Sequence, residues 1–291
     1  MFSQKIRSRY AVGLLGSLMV LVGVCGTAWA ETDVDPLSLV PADAMGFVLI
    51  KNFHQTTDCV NGYVKQITEI VSPNQASPDI EKMLTEELGL SDEVALDKPI
   101  VLAFLNWQLY GSEPIVILCQ TRDYKAFSQL LEAKESEEPG VMKGTTDNFK
   151  DCYFAKVRDT NYIVLAPKPA LVKAILASQK GAGDVLSAQT KTLLAKSDAI
   201  AHVSMQAIST LVKPLLMVAS AMGPMMAPPS TSPSTQSAEM QAMQSRTMMA
   251  AQLADMLDQF ADFNLGLNLD AKYIKVFGMF GVKPDTELAS I

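Results

Sequence analysis

The chain is 291 residues long, 48% hydrophobic and 19% charged, too apolar for an intrinsically disordered protein and apolar enough to bury a core. Its formal charge of −7 argues against a nucleic-acid binder, which needs a basic face to displace counterions from phosphates. Two histidines and four cysteines leave little material for metalloenzyme chemistry.

Residues 1–30 carry Lys5, Arg7 and Arg9 without an acid, then the apolar run Ala11 to Val24, then Ala28-Trp29-Ala30 before Glu31. That order is the layout of a secretory signal peptide, with cleavage expected between Ala30 and Glu31. The run falls short of the roughly 20 residues that span a bilayer, so an uncleaved anchor is the lesser reading. Lipid attachment at Cys25 is lesser still, because Val24 stands where a Gly or Ala is wanted. Loss of the leader takes the formal charge from −7 to −10. No second long apolar segment follows and no Asn-x-Ser/Thr sequon is present. The expected location is therefore the bacterial periplasm or exterior, with no transmembrane helix in the mature chain. Cys119 and Cys152 fall in two expected strands and form a disulfide if those strands are neighbours; three separate buried thiols, with Cys59, is the simpler reading.

Residues 31–40 read as a leader to a continuous apolar strand at 45–50. Val60, Val64, Ile67 and Val71 recur at helical spacing, and Ser72-Pro73-Asn74 and Ser77-Pro78 separate that helix from a second over 79–88. Residues 99–108 and 114–121 predict a hairpin around Tyr110-Gly111-Ser112. Asp123 caps a helix bearing Tyr124, Phe127, Leu130 and Leu131. Strands follow at 141–145, 152–157 and 162–166, then a helix presenting Leu171, Ile175 and Leu176, which Gly181 and Gly183 are expected to end.

Asp198-Ala199, followed by a short apolar strand, restates Asp43-Ala44 at an offset of 155 positions, and each copy then runs through two helices into a hairpin. The expected fold is α+β: two related blocks of mainly antiparallel sheet covered by helices, at 31–195 and 196–291. The second block lacks counterparts of the later strands and is incomplete. Gly223 to Ser237, dense in Pro, Ser and Thr, reads as an irregular loop between the second block's helices. The Pro-Ala-Asp-Ala opening at 41–44, the strand, the two helices, the hairpin and the repeat of the block resemble a family of exported bacterial proteins without an assigned function. That resemblance implies the same architecture and carries no catalytic residue across.

Metalloprotease, phosphate-loop and nucleophile-elbow motifs are absent, as are Cys-x-x-Cys and Gly-x-Gly-x-x-Gly. Gly181-Ala182-Gly183-Asp184 follows a helix instead of a strand, so it is no phosphate loop. His54 and His202 alone are available as an imidazole base, and no nucleophile motif accompanies either. The acidic runs Glu86-Glu87 and 132–138 lack the aromatic supply of a sugar cleft. Ten of the sixteen methionines lie between Met205 and Met256. Met222, Met225, Met240 and Met243 have spacing compatible with copper(I), although adaptable packing or a partner-facing groove explains them more simply.

Together these readings favour an exported non-catalytic binding or scaffold protein of the bacterial envelope, with a protein partner, no nucleic acid and no cofactor. The alternatives are a periplasmic copper(I) binder on the methionine helices and a hydrolase with a site near His54. The latter demands a concave pocket there and a carboxylate within hydrogen-bond reach.

Overall fold

The computed structural model describes residues 34–72, 76–88, 90, 93–145, 151–222, 233–270 and 273–290. A 3-10 turn at Pro36–Ser38 leads into β1 (Gly46–Ile50), α1 (Phe53–Val71) and α2 (Ile80–Leu88). Next come β2 (Ile100–Phe104), the single turn α3 (Trp107–Tyr110), β3 (Ile115–Gln120) and α4 (Tyr124–Leu130). β4 (Lys134–Glu135), β5 (Met142–Gly144), β6 (Cys152–Lys156) and β7 (Tyr162–Ala166) precede α5 (Pro169–Ala177), α6 (Ala182–Val185) and α7 (Ala188–Lys196). The chain then forms β8 (Ala199–Ser204), α8 (Met205–Met222), α9 (Pro233–Gln259), β9 (Phe260–Asp270) and β10 (Tyr273–Val282). The fold is α+β, with one large antiparallel sheet.

The strand order is β10-β9-β8-β1-β2-β3-β7-β6-β5-β4. β1 pairs with β2 from Gly46↔Phe104 to Ile50↔Ile100, β2 with β3 from Val101↔Leu118, and β3 with β7 from Ile117↔Leu165, all antiparallel. Every residue of β1 and of β7 is buried. Their unbroken apolar runs follow from that, because a strand covered on both faces has no polar side to alternate with. Phe47, Leu49, Val101 and Leu118 meet Leu171, Val172 and Ile175 of α5 on one face. Val48, Ile50, Leu102 and Ile163 meet Phe53, Phe127 and Phe154 on the other. There Phe154 takes the edge of Phe127, ring centroids 5.3 Å apart, an arrangement the ring quadrupoles favour.

The chain divides into two compact units, Met1–His202 with Leu265–Gly278, and Val203–Asn264 with Met279–Ile291. In the larger, Asn52 caps α1 by accepting the Gln55 N–H, and Asp123 caps α4 by accepting those of Lys125 and Ala126. In the smaller, Asp258 of α9 holds α8 by accepting from Ser209 Oγ at 3.1 Å and pairing with Lys213. The Lys213 ammonium hydrogen-bonded to Asp258 keeps that carboxyl below its usual range. Phe263 and Phe280 pack in the same unit with centroids 4.7 Å apart and planes tilted at 42°.

Several expectations are corrected. Leu37 and Val40, read as leader, are fully buried core residues. Trp107 and Gln108 leave the hairpin's first strand for α3, whose cap is the Asn106 side chain. Gly181 and Gly183 do not end α5, which closes at Ser178. Gly181 instead bridges Pro41, with the Ala42 N–H donating to Lys180 O and that of Ala182 to Val40 O. A Cβ at Gly181 would lie 2.5 Å from the Ser38 backbone, so the residue is fixed by close approach of two chain segments. Pro233 to Ser237, expected to be irregular, are the first residues of α9, since proline suits a helix's first turn, where its missing N–H has no partner to lose. Residues 223–232 lie outside the described residues.

In urea denaturation, Phe154→Ala is expected to cost about 3–5 kcal/mol by opening a cavity between α4 and the sheet. Gly181→Ala is expected to cost about 1–3 kcal/mol, because backbone rather than a flexible side chain must yield.

Candidate functional site

His54 and Asp58 stand one turn apart on α1, and that spacing sets them on one face of the helix. α2 is docked beside them by Asn61, whose side chain accepts the Ile80 N–H at 2.8 Å, which brings Glu81 of the first turn of α2 over α1. The His54 Nδ1 lies 2.6 Å from Glu81 Oε2, and its Nε2 lies 3.5 Å from Asp58 Oδ2. Thr57 donates its hydroxyl within reach of the same Glu81 oxygen, 2.7 Å away. A polar cleft of about 300 Å³ opens here, bounded by Asp58, Asn61, Asp79, Glu81, Lys82 and Thr85.

This arrangement stabilises an imidazolium. The hydrogen bond and charge of Glu81 raise the His54 pKa above its ordinary 6.5, with smaller contributions from Asp58 and Asp97 against a small opposing effect of burial. Both ring nitrogens face carboxylates, so neither is turned to a hydroxyl or thiol in the manner of an activated nucleophile. One donor atom each from His54, Asp58 and Glu81 lies within 4.8 Å of the others, a donor set that a borderline or hard divalent cation accepts. A metal needs the neutral imidazole, and the raised pKa competes against it. The i, i+4 relation of His54 to Asp58 is visible in the sequence. Glu81 carries no such signal, because only the packing of α2 on α1 brings it in.

The other candidates lie apart. His202, in β8, stacks on Phe47 with centroids 4.9 Å apart and planes at 23°, a packing role inside the sheet. Cys119 and Cys152 are thiols buried in the same core cluster. Burial raises both, Cys152 to about 11 and Cys119 further, so both are protonated and inert at neutral pH. Met222 ends α8, and Met240 and Met243 lie within α9. Met225, Ala30 and Glu31 fall outside the described residues.

Further along α9 a different surface emerges. Met249, Leu253 and Met256 recur at i, i+4, i+7 and are 62%, 43% and 45% exposed, with Met248 beside them at 63%. Ala250, Ala254 and Leu257, each one position later, are the half-buried stripe. A helix apolar on two adjoining stripes covers more than one neighbour requires. The methionine density was legible in the sequence, but the division between packed and exposed positions was not. Compared with family models, curated proteins and solved structures, the chain matches none.

The raised His54 pKa gives a signed pH dependence. The ion pair's contribution to stability is complete below about pH 6.5 and is lost as pH rises through the higher folded-state value. The melting-temperature deficit of Glu81→Gln should therefore be largest near pH 6 and shrink toward about pH 8. A deficit independent of pH would show that Glu81 acts only as a neutral hydrogen-bond acceptor.

Proposed function

We propose that this chain is an exported, non-catalytic binding protein of a bacterial envelope that holds a protein partner on the outer stripe of α9. The observation that carries the reading is the row Met249, Leu253 and Met256, exposed in register over two helical turns. Large apolar side chains in water cost free energy that a partner recovers, and flexible thioethers accommodate an imperfectly matched surface. Asp255 is exposed on the same helix and the whole chain is acidic at −7. Charge complementarity thus favours an apolar segment with basic flanks as the occupant.

The cleft and the Glu81 carboxylate meet what a hydrolase site near His54 demands, but both ring nitrogens are turned to carboxylates and no nucleophile faces them among the described residues, which supports a passive role. The leader-like residues 1–30 support export. Both blocks run strand, two helices and hairpin, through β1, α1, α2, β2 and β3, and through β8, α8, α9, β9 and β10. We read them as a duplication in which β1 and β8 lie side by side at the join. Phe47 and His202, related by the 155-residue offset, stack there.

A photo-crosslinking residue at Met249, compared in the native envelope with one at exposed Gln244 of the same helix, tests the binding surface. One adduct of defined mass is expected at 249 and none at 244, with loss of the adduct in Leu253→Lys. Equal labelling at both positions, or none, would falsify the proposal.

A further inference from the structure

The two ends of the sheet differ in kind. At one end β4 is two residues long and both are charged, Lys134 and Glu135, which is how natural edges resist pairing. At the other end β10 runs for ten residues, Tyr273–Val282, with β9 as its single neighbour in the sheet order among the described residues. Its charge is Lys275 alone. Tyr273 and Phe277 project from one face and Ile274 and Val276 from the other, 45%, 41%, 50% and 59% exposed. A long edge that is apolar on both faces presents unpaired backbone groups and unburied side chains together.

We infer that β10 pairs antiparallel with β10 of a second copy of this chain across a twofold axis through the Tyr273–Gly278 stretch. Self-pairing closes two edges at once and leaves neither available to a third chain, as an isologous contact requires. Pairing edge to edge covers the backbone of both strands and the flanks of the facing side chains while leaving the sheet faces open, so the contact lies at the small end of specific interfaces. With the axis at Val276, Lys275 faces Phe277 of the other copy instead of another lysine. It already lies over an aromatic ring, with its Nζ 4.6 Å from the Tyr273 centroid, and such contact is favourable. Ile274 then faces Gly278, where the space a Cβ would enter is open. No acid lies between Tyr273 and Lys283, so two acidic molecules meet where their mutual repulsion is least. This inference is independent of the partner assigned to α9.

Sedimentation and light scattering of the purified full chain should show a concentration-dependent monomer–dimer equilibrium. Val276→Lys should raise the dissociation constant by at least about tenfold with unchanged circular dichroism, since Val276 is exposed in the monomer. Val276→Cys should give a disulfide-linked dimer on mild oxidation, whereas a cysteine at Leu109, 68% exposed on α3, should not; this readout stands even if the lysine variant fails to fold. A monomer at every concentration would mean that the edge is covered by this chain's own residues or by a foreign strand, and the inference fails. A dimer that survives Val276→Lys and is not trapped by Val276→Cys uses another face, and likewise overturns it.

Discussion

Three strands are held together at one buried aspartate. The Asp198 carbonyl accepts the Lys51 N–H at 2.9 Å after β1, its own N–H donates to Leu267 O at 2.8 Å in β9, and its carboxylate accepts the Leu269 N–H at 2.9 Å. Burial raises the Asp198 pKa against the opposing influence of the Leu269 hydrogen bond and the Lys51 charge. It lowers that of Lys51, whose ammonium donates to Ala195 O at 2.9 Å at the end of α7. A carboxylate taken out of water is tolerable only where fixed donors and a cation replace its hydration. Here those donors are the backbone of the neighbouring strand, so the residue's cost is offset by fixing the register of β9 on β8. Asp43, the counterpart in the first block, is exposed and has no such duty.

With its middle strands buried on both faces, the sheet has no room for chemistry at its centre. Ionisable groups that touch one another beside open space occur where helices cross above it, at His54, Asp58 and Glu81. Apolar surface left in water occurs on α9 and β10. The thiols of Cys119 and Cys152, by contrast, are enclosed in the core.

The central elements were readable because they follow from local rules. The strands at 46–50 and 162–166 show as unbroken apolar runs, and the helix start at Asp123 shows as a side-chain acceptor before an amphipathic stretch. What escaped reading depended on distant partners. Gly181 looked like a helix terminator because its neighbour Ser38 is far away in sequence. Leu37 and Val40 looked like a leader because the helical turn that packs on them, α6, comes more than a hundred residues later. α7 went unread because its pattern is weak and its placement rests on packing.

By itself the sequence determined the fold class, the antiparallel hairpins, the helix cap at Asp123 and the concentration of methionine near the end. These are set by periodicity of two or 3.6 residues and by hydrogen bonds that span a single turn. Only the tertiary structure decided that Glu81 meets His54, which methionine stripe faces water, and that β10 is an edge. Each of those depends on which surfaces of separate segments cover one another, and burial is a property of the packed chain that no window of residues contains.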